Sequence, residues 1–305
     1  MHYGYCYSFT LHLQITLMVI YLLFRFFVFL FWITPFWLLY LQSDIVFFLM
    51  YHVFGYRKKV VWNNLKKSFP EKSESELKKI TRGFYKNLSD ITVEGIKGFS
   101  MSKKTLLKRY KVLNPEISDK YYKQNKSIIA VASHYCNWEW GVLCLSLQFK
   151  HKSVGLYKPL SNKYIDNYIK KTRAAWGMNL ISIYETSKYI EIKNTGPSIY
   201  FMVSDQSPSN VKKAYWLNFL NQDTACLHGA ESYAKIFDLP VVYGHVNRVK
   251  RGYYEISVSL VESNPKETTE GEITKAYMKI LEDYILVKPE NWLWSHKRWK
   301  LKRGI

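Results

Sequence analysis

The first 56 residues follow a different hydrophobic pattern from the rest of the chain. From Leu13 to Leu41 the sequence reads LQITLMVIYLLFRFFVFLFWITPFWLLYL, apolar and aromatic with almost no polar face. A helix needs roughly 20 such residues to cross a bilayer core, so the run predicts a membrane helix. It is too long for the apolar region of a signal peptide, no basic leader precedes it and no small-residue cleavage pattern follows, so it is expected to be retained. Pro35 predicts a kink or break, and Arg25 predicts a guanidinium that snorkels or finds a partner. A second apolar piece, Ile45 to Phe54, is short for a span and is expected in the interface or packed on the body. Arg57, Lys58 and Lys59 follow, which by the positive-inside tendency places that side in the cytoplasm.

Beyond residue 56 the periodicity changes twice. Residues 57–126 are polar with apolar positions at helical spacing, and Ser73 stands as an N-cap ahead of acidic residues in a first turn. From residue 127 short β-rich runs alternate with amphipathic stretches. The expected strands are 127–133 (SIIAVAS), 152–157, 179–184, 198–204, 239–249 and 253–262, and the expected helices are 138–149, 161–175, 227–237 and 267–286. That alternation predicts an α/β layered fold with a central, largely parallel sheet flanked by helices. The last two strands, joined around Lys250, Arg251 and Gly252, read as an antiparallel pair. The expected organisation is a membrane anchor and interfacial segment over 1–56 and a cytoplasmic-facing domain over 57–305, divided into a helical lead-in (57–126) and an α/β core (127–305).

Charge sharpens this picture. The chain holds 44 Lys and Arg against 24 Asp and Glu, a net charge of +20. Arg25 and Asp44 are the only members of that set in residues 1–56, so the body carries the whole excess. An anionic partner is implied, and an apolar leader joined to a basic body favours a bilayer surface, where each Lys or Arg adds about 1 kcal/mol. No nucleic-acid-binding motif, Gly-rich phosphate loop or dinucleotide fingerprint is present, so nucleic-acid and nucleotide chemistry receive no support. Cys6, Cys136, Cys144 and Cys226 form neither a paired zinc spacing nor a disulfide framework, and no metal is expected.

The chemistry-bearing feature is SIIAVASHYCNWEWG. It places His134 just after a buried strand and Asn137 just before a helix, with Glu139 in that helix's first turn. The carboxyl ends of strands are where α/β sheets bind ligands. At a helix start the dipole favours an ionised Glu139, which is expected to hydrogen-bond the imidazole and fix its tautomer. A neutral imidazole so held can take a proton from an attacking alcohol. The His-x4-Glu spacing alone is weak, since a polar loop histidine beside an unrelated glutamate gives the same pattern. A rival scheme has His134 activating Cys136 as a nucleophile, disfavoured because a base two residues away in a tight loop is hard to reach.

Taken with their neighbours, these residues resemble the bacterial lipid A late acyltransferases of lauroyl/myristoyl type, within the lysophospholipid acyltransferase superfamily. The resemblance rests on ordered blocks: Tyr56-Arg57, Asn64-Leu65, Phe69-Pro70-Glu71, HYCNWE, YKPL at 157–160, Arg173, SDQSP at 204–208, FLNQDTA at 219–225 and PENWLWSHKRWK at 289–300. It implies a glycerolipid-acyltransferase-like fold and acyl transfer from acyl-carrier protein to a hydroxyl of a phosphorylated glucosamine lipid, at the cytoplasmic face of the inner membrane, with no metal or nucleotide. By position His134 and Glu139 would be the catalytic pair. Lys158, standing where these enzymes often carry Arg, and Arg173 would contact phosphate, a solvated surface role for Arg173 being equally open. Asp205 and Gln206 would orient the acceptor or brace the loop. His296, Arg298 and Lys300 beside Trp292, Trp294 and Trp299 suit a headgroup-level or acidic-protein surface, or else a docked helix with a solvated basic face. Other readings are a lysophospholipid or aminolipid O-acyltransferase and, in a different class, a non-catalytic membrane lipid-binding protein.

Overall fold

A computed structural model describes residues 2–192 and 196–303, with side chains for 12–191, 196–212 and 214–303, so Cys6 lies outside the described side chains. Helix α1 (His2–Ile33) stops two residues before Pro35, and α2 (Phe36–Phe48) starts just after it, as expected from the missing N–H. The second apolar piece is not a separate element. It completes α2 and runs into a π-helical turn (Leu49–Val53). Residues 12–33 and 36–53 are each long and apolar enough to cross a bilayer, and Leu22, Phe26, Trp37 and Phe48 are among their many exposed side chains.

The lead-in is helical: α3 (Lys58–Ser68), α4 (Glu74–Gly98), α5 (Lys103–Arg109), then a short strand β1 (Tyr110–Val112) and α6 (Glu116–Lys123). Ser73 caps α4 in a full capping box: its hydroxyl accepts from the Glu76 N–H, and the Glu76 carboxylate accepts from the Ser73 N–H at 2.8 Å. Leu77, Phe84 and Ile91 recur at sevens on the buried face of α4. Where that row reaches Gly98, a Cβ would lie 2.9 Å from Leu143 and 3.1 Å from Trp140, so only glycine lets the next helix of the core approach this closely.

The core continues β2 (Ile128–Ala132), α7 (Trp138–Cys144), β3 (Lys152–Tyr157), α8 (Lys163–Ala174), β4 (Asn179–Ser182), α9 (Thr186–Ile192), β5 (Ser198–Val203), β6 (Ala214–Phe219), β7 (Gln222–Leu227), α10 (Gly229–Phe237), β8 (Val241–Lys250), β9 (Tyr253–Glu262) and α11 (Glu272–Val287). Seven strands form one sheet in the order β1-β9-β8-β2-β5-β3-β4, parallel throughout except for the β8–β9 hairpin, while β6 and β7 make a separate antiparallel ribbon. β2 sits inside the sheet and is buried along its length except at Ala132, which is why it reads as an unbroken apolar run.

Helix α1 is bonded into the body at several points. The Phe24 ring packs edge-on against Phe99, just past α4, and against Tyr168 of α8. Arg25 lies over the Tyr168 ring and donates to the Tyr21 hydroxyl, the partner its position called for. Asn162 donates to the Leu17 carbonyl at 2.9 Å, and the Lys97 ammonium caps the carbonyls of Phe31, Trp32 and Thr34.

Candidate active site

The register of two parallel strands builds the site. β2 and β5 are neighbours with Ala132 opposite Val203, so the residues two positions beyond each strand, His134 and Asp205, come out side by side at the carboxyl edge. The His134 Nδ1 lies 2.7 Å from one Asp205 oxygen. The other oxygen accepts from the His134 backbone N–H at 2.9 Å and from the Trp292 indole N–H at 2.8 Å. On the far side of the ring, Nε2 lies 3.1 Å from the Gln206 side-chain nitrogen, and Trp138 packs edge-on at 5.1 Å. With Nδ1–H given to Asp205, Nε2 carries the lone pair and accepts from Gln206.

Burial works against a charged imidazole here, yet the carboxylate of Asp205 outweighs it, with a further contribution from the charge of Glu139, and His134 is raised above the ordinary histidine value. Asp205 is buried, which favours its neutral form, but the charge and hydrogen bonds of His134 and the Trp292 bond hold it below the usual carboxylate range.

Glu139 does not make the hydrogen bond expected of it. The loop from His134 to Asn137 turns the start of α7 so that the Glu139 carboxylate accepts from Arg173 of α8 at 2.9 Å and from the Trp138 indole at 3.2 Å. The imidazole's direct partner is Asp205. Asn137 does cap α7, accepting from the Trp140 N–H at 2.9 Å. Cys136 holds a positive φ of 53° in this loop, an uncommon backbone for a side chain with a Cβ, and its neighbours pin it: its N–H donates to the Asn291 carbonyl and Tyr135 bridges to Trp292. Burial pushes the Cys136 thiol up to about 12, which makes it a poor nucleophile.

The site opens into a cleft of about 610 Å³ between α4, α7 and α8. His134, Glu139, Lys158 and Arg173 all line it, together with Leu88, Ile96, Phe99, Leu160 and Ile169. Four sequence candidates thus face one space, while Asp205 and Gln206 stand behind and beside the imidazole. Arg173 is mostly buried and ion-paired, so the solvated-surface alternative for it does not hold. Trp138, Tyr157 and Arg173 also border a narrower apolar pocket that runs in toward Leu145, Met178, Leu180 and Phe201.

The C-terminal block is a strap, not a docked basic helix. Trp292, Trp294 and Arg298 are buried, Arg298 donates to the Ala225 carbonyl at 2.6 Å, and Lys300 alone of the three basic candidates is exposed. His296 accepts from the Ser207 N–H at 3.1 Å, next to the Asp205–Gln206 turn, and burial lowers it to about 4. Trp292 was legible only as part of a composition. Its bond to Asp205 depends on the chain returning from nearly ninety residues away. No group of three or more His, Cys, Asp or Glu among the described residues is arranged to hold a metal.

Residues 7–301 match the family described as bacterial lipid A biosynthesis acyltransferase. Over 250 residues the chain is 23% identical to the lipid A biosynthesis lauroyltransferase of Escherichia coli (strain K12), covering 81% of this chain and 80% of that protein. With a match across nearly its whole length and an α/β sheet that sets a histidine at the mouth of an amphipathic cleft, the chain belongs to the bacterial lipid A biosynthesis acyltransferase family and is an acyltransferase.

Proposed function

We propose that the protein transfers a fatty acyl chain from the thioester of acyl-carrier protein to a hydroxyl of a lipid A precursor, with His134 as general base. Nε2 takes the hydroxyl proton as the oxygen adds to the thioester carbonyl. The tetrahedral intermediate then collapses, expelling the carrier thiolate, which recovers the proton from the imidazolium. The observation that carries this reading is the Asp205–His134 bond at 2.7 Å, which leaves Nε2 as the basic nitrogen on the side of the ring away from Asp205. Asp205 sets the tautomer, and Glu139 stabilises the imidazolium by charge while holding Arg173 in the cleft.

Lys158 and Arg173 supply positive charge for a phosphorylated acceptor, Lys158 as a point charge where a guanidinium would grip in two places. The apolar pocket beside Trp138 suits the acyl chain. Residues 1–56 act as anchor and 57–305 as the catalytic body, at the cytoplasmic face of the inner membrane. The exposed apolar surface of α1 and α2 and the basic body support that placement.

The test is transfer of labelled acyl groups from acyl-carrier protein to a panel of lipid A precursors, lysophospholipids and aminolipids, comparing wild type with His134→Ala and Glu139→Ala. Loss of transfer in His134→Ala with a lipid A precursor preferred is the expected result. Undiminished transfer by His134→Ala would overturn the mechanism, and preference for another acceptor would overturn the substrate.

A further inference from the structure

Glu94, near the end of α4, is fully buried, and its carboxylate joins three separate elements. One oxygen accepts from the Tyr40 hydroxyl of α2 at 2.8 Å. The other accepts from the Asn137 side-chain amide and from the Tyr254 hydroxyl of β9, both at 2.7 Å. Its backbone carbonyl accepts from the Trp140 indole at 2.7 Å, and the next residue, Gly95, lies against the stem of Glu139. Burial pushes the Glu94 carboxyl up to about 7 although the Tyr254 and Tyr40 bonds pull it down. A carboxyl hidden this deeply costs stability unless its oxygens are satisfied, and a plain apolar contact would pack α4 against α7 at less expense.

Its partner shows what the arrangement does. Asn137 is held from both ends: its carbonyl oxygen caps α7 while its amide is fixed by Glu94. Asn137 lies in the turn that separates His134 from Glu139, so its position sets where α7 starts and where both groups point. Tyr40 belongs to the apolar N-terminal pair of helices, so the same carboxylate touches the putting-down point of α2.

We propose that Glu94 is a positioning residue for acyl transfer, fixing the His134–Glu139 corner through Asn137 and making that corner depend on the seating of α2 through Tyr40. The inference rests on the reading of His134 as base. Geometry this close to the reacting atoms is worth a great deal: displacements near 1 Å can cost about 100-fold in rate.

The experiment uses the full-length protein in detergent with acyl-carrier protein thioester and lipid acceptor. Asn137→Ser keeps a cap for α7 but removes the amide that reaches Glu94. Its kcat is expected to fall about 10- to 100-fold with KM little moved and the melting temperature close to wild type. Glu94→Ala behaves alike, and Glu94→Gln recovers most of the loss, because its carbonyl oxygen keeps Asn137 and Tyr254 while its amide faces a Tyr40 hydroxyl that can turn to accept. Tyr40→Phe gives a smaller loss of the same kind. Combining Asn137→Ser with Glu94→Ala adds little to either alone, because both break the same Asn137–Glu94 bond.

A folded Asn137→Ser enzyme with wild-type kcat overturns the proposal, as does full additivity in the double variant. If Glu94→Ala fails to fold, Asn137→Ser remains the arbiter. His134→Ala separates the two readings: activity in that variant sinks the base assignment, whereas an inactive His134→Ala beside an unaffected Asn137→Ser sinks this inference alone.

Discussion

Replacing Asp205 by Asn tests how the imidazole is prepared, because the hydrogen bonds dictate which way the new amide must face. One Asp205 oxygen receives two donors, the His134 N–H and the Trp292 indole, and the other receives only Nδ1. An asparagine therefore satisfies most partners by placing its carbonyl oxygen at the two-donor position, which turns its NH2 toward Nδ1. The imidazole must then accept at Nδ1 and carry its proton on Nε2, where the base is needed. Two losses follow. Unit charges 2.7 Å apart attract by about 6 kcal/mol at an effective dielectric near 20. Charge on both groups is spread over several atoms, so we take about half, roughly 3 kcal/mol, or about 100-fold in rate. Reversal of the tautomer extends the loss toward about 10⁴-fold, the size seen when a buried Asp behind a catalytic His is made Asn in serine proteases. The assay is kcat for transfer from acyl-carrier protein thioester, with a thermal melt to show that the fold persists. A kcat within a few-fold of wild type in a folded Asp205→Asn protein refutes the assignment of Asp205, and with it the tautomer argued from it.

Three further outcomes are expected. With His134 as the proposed base, transfer needs its neutral form, and its affinity for a proton is raised, so kcat/KM should rise with pH through a limb placed above the ordinary histidine value of 6.5, and Asp205→Asn should move that limb to lower pH; a limb below 6.5 in wild type contradicts the assigned geometry. Cys136→Ala should retain transfer, since burial keeps the thiol protonated near neutrality, and loss of transfer in a folded Cys136→Ala protein would reinstate an acyl-enzyme scheme. Gly98→Ala should destabilise by about 1–3 kcal/mol, read as a lower melting temperature, because its methyl meets Leu143 and Trp140 at 3.1 Å or less; an unchanged melt would mean that α4 and α7 part more easily than their packing implies.

Much of the fold was legible because buried parallel strands are continuous apolar runs. Ile128 to Ala132 and Ser198 to Val203 announce themselves this way, and both fall within their expected spans. β1, with only three residues inside a helical stretch, carries no such signal. Nor do β6 and β7, whose polar residues Asn218, Gln222 and Asp223 belong to a ribbon outside the main sheet. The helix expected over 267–286 begins at Glu272, since Gly271 adopts a positive φ of 84° and resets the start. At the site, sequence placed His134 and Glu139 at a strand–turn–helix corner but could not say which carboxylate the imidazole meets. Proximity along the chain favours Glu139, whereas strand register brings Asp205 across from 71 residues away. A sequence alone does not give that register. Glu94 was invisible for the same reason, since nothing local distinguishes a helical glutamate facing water from one facing three donors.

The bonding of α1 to the walls of the cleft has a kinetic consequence. A helix tethered by a loose linker would let the body swing, and each encounter with a lipid would have to find both place and orientation. Phe24, wedged against Phe99 and Tyr168, and Lys97, closed over the last carbonyls of α1, leave no such freedom. On the proposed placement of α1 in lipid, orientation is settled once, at insertion, and the acceptor's search becomes a two-dimensional one. Turnover should then follow the acceptor's mole fraction in the bilayer and fall on dilution with inert lipid at constant bulk concentration, while the proposed carrier-borne donor would still arrive from three dimensions.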